Sequence, residues 1–124
     1  MVEGTLRALV ALSLLGSAWV HWVVWLDWAR DTPVVGPAFL VNVVAGVAIA
    51  IAVALWRSPL PALAAIAFGL ATLAAYAMSL TVGFFGVQEQ FATSEEVWGV
   101  ITEIGCVVFG TALLLTRHRS RAVP

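Results

Sequence analysis

Four long apolar runs, covering roughly residues 6–26, 39–56, 60–85 and 97–115, leave this chain little choice of fold. Each reaches the ~20 residues needed to cross the hydrocarbon core of a bilayer. Soluble domains carry about 25% charged residues, whereas these 124 residues are 10% charged and 62% apolar. Nothing substantial is left over for a soluble domain. Within lipid, backbone polar groups must be satisfied internally, so only helices or closed barrels span. The runs lack the alternation of barrel strands. The sequence therefore predicts an all-α polytopic membrane protein, one domain over 1–124. It should form an antiparallel bundle of four transmembrane helices, with spans at about 6–28, 37–56, 59–85 and 95–116.

The net charge of -1 conceals an asymmetry between the two ends of such a bundle. Arg7, Arg57, Arg117, Arg119 and Arg121 fall at one end, and Arg30 falls at the other with Asp27, Asp31, Glu89, Glu95 and Glu96. Positive residues near span ends stay cytoplasmic. The expectation is a multi-pass protein of the cytoplasmic membrane with both termini inside. The basic tail TRHRSR reads first as a topology determinant, with contact to anionic headgroups as the alternative. Arg7, the apolar stretch 8–15 and Gly16-Ser17-Ala18 also resemble a cleavable signal peptide. The apolar run continues through WVHWVVWL, which favours an uncleaved first span.

The connections carry turn chemistry. Asp31-Thr32-Pro33 and Gly36-Pro37 mark an interfacial turn into span two, and Ser58-Pro59 marks the start of span three. The short Arg57-Ser58 link makes spans two and three an antiparallel hairpin. Thr93 followed by Glu96 fits a capping box that opens span four. In WVHWVVWLDW, Trp22, Trp25 and Trp28 approach the acidic end of span one, where Trp98 begins span four. An aromatic belt at the headgroup level is the ordinary explanation. A spacing of three turns successive rings by about 60° around the helix, so they cover a broad face instead of one line.

Reckoned inward from these markers, every span places a polar side chain at nearly the same depth. His21 lies about 10 Å below Trp28 and Glu103 about 7.5 Å below Trp98 at the helical rise. Asn42 is five residues into span two from Pro37, and Tyr76 and Ser79 occupy the matching region of span three. Small residues share these faces: Ser13, Ser17 and His21; Asn42, Ala45 and Gly46; Thr72, Tyr76 and Ser79; Gly99, Glu103, Cys106 and Gly110. Small residues mark close helix contacts in membranes, so the polar groups should point inward. His21, Asn42, Tyr76, Ser79 and Glu103 are the candidate ligand- or proton-binding residues, with His21 and Glu103 facing each other. Asn42 and the hydroxyls also read as interhelical hydrogen-bond glue, and His21 as a packing residue. Glu103 is harder to dismiss, because an acid in a span costs about 2.5–3.5 kcal/mol on insertion scales.

The segments VHWVVW, GPAFLVNVVAG, FGLATLAAYAMSLTVGFFGVQE and ITEIG resemble small four-span membrane proteins common in high-GC Gram-positive bacteria. The resemblance implies the fold and no chemistry. Small multidrug transporters have a similar span count, but their proton-coupling glutamate lies in the first span and Glu103 lies in the fourth. A lone cysteine, Cys106, excludes four-helix thiol enzymes. No catalytic set, metal spacing or cofactor motif is present, so no enzyme, metal or cofactor is expected. The favoured expectation is a non-enzymatic accessory or interaction protein. Its partners would be the lipid bilayer and a second copy or a larger membrane complex, with no nucleic acid. The alternative is a small carrier, or a ligand- or proton-binding protein, that uses the polar layer around His21 and Glu103.

Overall fold

In the computed structural model four α-helices follow one another along the chain, and the structure describes residues 1–90 and 93–122, with side chains through Arg117. They are α1 (Val2–Asp27), α2 (Val35–Leu55), α3 (Leu60–Leu80) and α4 (Ser94–Ala122), with a single 3₁₀ turn at Ala29–Asp31 after α1. All four are long and apolar enough to cross a membrane. Among the described residues there is no strand. An isolated β-bridge joins Phe84 and Val87. The molecule is a four-helix bundle. The basic tail beyond Arg117 continues α4 as backbone, and the expectation for its side chains, and any that falls on Phe91 or Ala92, lies outside the described residues.

Neighbouring helices run antiparallel. α1 packs extensively on α2 and α4, and α3 on α4, while α1 and α3 barely meet across the diagonal. The core is built at the terminus end from Val10, Leu14, Ala50, Val53, Ala62, Ala65, Phe68, Cys106 and Leu113. Glycines set the close approaches. A Cβ on Gly69 would stand 2.7 Å from the Glu103 carbonyl, and one on Gly46 would stand 3.2 Å from both the Leu14 carbonyl and the Ala18 methyl. With no hydrophobic drive between helices in lipid, backbone proximity of this kind is what gives a bundle its van der Waals cohesion.

Arginines tie the terminus end. Arg7 reaches from α1 to the last carbonyls of α2, donating from Nε to Val53 at 2.9 Å and from Nη2 to Ala54 at 2.8 Å. Arg117 donates to the Ser58 carbonyl and pairs with Glu3 at 3.4 Å. Cations at a helix C-terminus complement its dipole and its unpaired carbonyls.

At the opposite, loop end the turn into α2 begins at Val35, two residues earlier than the span boundary drawn from Pro37. Val34 takes a positive φ of 67°, a strained conformation for a β-branched residue. The Thr93–Glu96 capping box forms, with Thr93 N–H donating to Glu96 Oε2 at 2.8 Å and Glu96 N–H to Thr93 Oγ1 at 3.4 Å. The expected third span, drawn to residue 85, is corrected: α3 stops at Leu80. Gly83 at φ 89° receives the chain there, and its N–H bonds back to the Met78 carbonyl at 2.7 Å. Phe85 and Gly86 then form the two left-handed positions of a tight reversal closed by mutual Phe84 and Val87 hydrogen bonds. The apolar run could not reveal this stop, because VGFFGV is as hydrophobic as the helix before it.

Candidate functional site: an apolar cavity with embedded polar groups at the loop end

The turn after α3 folds back over the bundle, with Glu89 N–H donating to the Ser79 carbonyl at 2.8 Å. Beneath it lies a cavity of about 800 Å³, within the range of small-molecule sites. It occupies the space between the loop-end halves of α2 and α3, which are adjacent but make the sparsest contacts of any neighbouring pair. The short link at Ser58 forces contact only near the turn. α1 and α4 supply the back wall. The lining includes the exposed residues Val41 and Ala71 on the flanks of α2 and α3, and the exposed Gln88 and Gln90 at the loop end. The cavity therefore has a side opening between two helices and a mouth at the loops.

All five residues singled out from the sequence line this cavity: His21, Asn42, Tyr76, Ser79 and Glu103. His21 Nε2 and Glu103 Oε1 are 3.9 Å apart. The other ring nitrogen of His21, Nδ1, lies 2.9 Å from the Ser17 carbonyl. A carbonyl can only accept, so Nδ1 carries a proton, and a neutral His21 turns the lone pair of Nε2 toward Glu103. The imidazole is seated against Phe39, ring centroids 4.8 Å apart. Glu103 is buried at 4% exposure, and the Thr72 hydroxyl from α3 approaches its carboxyl group.

Asn42 is the unusual member. It is buried at 8% exposure on the wall of the cavity, yet among the described residues neither its Oδ1 nor its Nδ2 has a hydrogen-bond partner. The interhelical glue expected of it is not made. Ser79 is engaged instead in its own helix, donating to the Tyr76 carbonyl at 2.6 Å while its own carbonyl holds Glu89. It shapes the roof, and its one hydroxyl proton is already committed. The Tyr76 side chain interacts with the Glu96 carboxylate. Glu89, in the roof, has its carboxyl group held above the usual carboxylate range, first by burial and then by the adjacent Glu96 carboxylate.

Several lining residues escaped the sequence reading. Glu96 was visible as a cap and as one of the acidic residues of this end, although it lies one heptad before Glu103 and so on the same face. Trp28 was expected in an aromatic belt, but it lines the cavity and packs on Phe39 at 6.1 Å between ring centroids. Trp19, Trp22 and Trp98 remain on the outer surface of the bundle. Trp22 and Trp25 stack at 5.3 Å despite the turn between them, since long side chains can rotate through that difference.

No protein-family model, no curated protein and no solved structure matches the chain. The fold and site define a four-helix bundle with membrane-length helices and, at its loop end, a largely apolar cavity studded with a few carboxyl and other polar groups. What that cavity does must be read from its geometry.

Proposed function

We propose that this chain is a non-enzymatic, multi-pass protein of the cytoplasmic membrane that binds a small amphipathic molecule in its outer-half cavity. Both termini are cytoplasmic in this reading, since Arg7, Arg57 and Arg117 gather at the terminus end while Glu89, Glu95 and Glu96 gather at the loop end. The loop end is then the outer half. The observation that carries the function is Asn42, which lines an 800 Å³ cavity while its enclosed amide has no hydrogen-bond partner among the described residues. A buried donor and acceptor left unmade cost about 1–3 kcal/mol, and a bound molecule whose polar group draws the enclosed amide round toward the cavity would recover that cost. The side opening flanked by Val41 and Ala71 lets such a molecule enter from the bilayer. An accessory protein would need neither the cavity nor the unpaired amide.

Native mass spectrometry of the protein released from its own membranes tests this. The parent protein should carry a small non-covalent adduct that is absent from Asn42→Leu and from the cavity-filling Ala75→Phe. Identical spectra for all three would overturn the proposal in favour of the accessory role. Orientation is read separately by cysteine labelling in a Cys106→Ala background. Gln88→Cys should react from outside and Ser58→Cys only after the membrane is opened, and the reverse pattern would invert the topology.

A further inference from the structure

We infer that the molecule held in this cavity is an organic cation, a protonated amine on an apolar body. This rests on the ligand-binding reading and names its substrate class. Among the described residues, the carboxylate side chains that line the cavity are Glu89, Glu95, Glu96 and Glu103, and neither lysine nor arginine lines it. Arg30, the arginine at this end, is exposed and lies 3.8 Å from Asp31 outside the cavity. A cleft lined by one sign of charge and walled by apolar groups concentrates the opposite charge. A phosphate or carboxylate head group would meet four carboxyl groups and no counter-charge.

The geometry at the base of the cavity suits a nitrogen with several protons. Glu103 Oε1 and His21 Nε2 are 3.9 Å apart, too far to bond one another. With Nδ1 committed to the Ser17 carbonyl, Nε2 of a neutral His21 is an acceptor. Two acceptors at this spacing can both receive N–H groups from one ammonium nitrogen. Asn42, which lines the same cavity, holds a further acceptor, Oδ1, that is enclosed and has no partner among the described residues, and rotation of the amide would turn it toward the ammonium. A bare metal ion fits poorly, because among the described residues no group of three or more His, Cys, Asp or Glu could hold one. The walls instead present Trp28, Phe39, Phe68, Tyr76 and Phe84. Aromatic faces accept both an apolar body and a cation.

Three probes with one ring system separate the possibilities: 1-naphthylmethylamine, the neutral 1-naphthylmethanol and the anionic 1-naphthylacetate. Binding to the full chain in phosphatidylcholine nanodiscs is followed by saturation-transfer NMR, with empty nanodiscs subtracted. The amine should bind at least about tenfold more tightly than the alcohol, and the acid should not bind. Glu103→Gln should bring the amine down to the level of the alcohol. Glu96→Gln, at the wall near Tyr76, should reduce the same preference should the Glu103 variant fail to fold. Equal binding of amine and alcohol, or tighter binding of the acid, would overturn the cation inference and leave the cavity as a ligand site. Failure of all three probes to bind the parent would overturn both.

Discussion

His21 and Glu103 stand opposite each other on α1 and α4, with Nε2 of one 3.9 Å from Oε1 of the other. They belong to helices whose backbones are brought close elsewhere, where Gly105 receives the Ser13 side chain and Gly16 faces Thr102. Tight packing one turn or two toward the terminus end fixes their separation. The sequence spacing supplied equal depth, and the small residues supplied the facing. The gap between them is too wide for a hydrogen bond and narrow enough for a shared partner.

Glu103→Gln should keep the fold, with an unfolding free energy within about 1 kcal/mol of the parent, because the amide retains an acceptor and removes a buried acid. Thermal melting in detergent measures this. A loss of several kcal/mol would show that the carboxylate charge itself holds the bundle.

Asn42→Leu should leave the ligand-free protein as stable as the parent or raise its stability by about 1 kcal/mol, since it replaces an unpaired buried amide with an apolar group of similar shape. Denaturation of delipidated protein would detect the change. A marked destabilisation would mean that the amide does bond within the bundle.

Gly69→Leu and Gly46→Leu should both lower the melting temperature. The first places a Cβ 2.7 Å from the Glu103 carbonyl and the second 3.2 Å from the Leu14 carbonyl. Overpacking of this kind costs about 1–3 kcal/mol, and Gly69 should suffer more because its added Cβ would stand closer to the facing backbone. Gly4→Leu meets nothing within 4 Å and should melt like the parent.

Arg7→Ala should destabilise the protein by about 1–2 kcal/mol by uncapping the carbonyls of Val53 and Ala54. Arg7→Lys should restore only part of that loss, because one ammonium cannot reproduce the two-pronged contact. Full rescue by lysine would reduce the contact to charge alone.

Glu89 makes the stability of the fold depend on pH. Its carboxyl group is held above the ordinary value by burial and by Glu96, so the folded state keeps its proton to higher pH than the unfolded state. Between those two values the folded state binds more protons, and stability falls as pH rises. Glu89→Gln should remove that decline and raise the melting temperature near neutral pH. Melting curves of the two proteins across pH 4 to 8 that stay parallel would contradict it.

The class of fold, the antiparallel α2–α3 hairpin and the polar layer were legible in the sequence. These follow from local physics: transfer of apolar runs into lipid, the turn chemistry of Ser58-Pro59 and Thr93–Glu96, and the helical rise that puts His21 and Glu103 at one depth. The end of α3 at Leu80 was hidden, because its signal is the positive φ at Gly83, Phe85 and Gly86 and not a change in hydropathy. Tertiary structure alone decided that α2 and α3 leave a cavity between their loop-end halves. That depends on how closely Gly46 seats against α1 and Gly69 against α4, which pulls the two helices toward different partners. It likewise decided that Asn42 lacks a partner and that Trp28 turns inward. A side chain's hydrogen bonds are settled by groups that arrive from distant parts of the chain, and no spacing within one helix encodes their arrival.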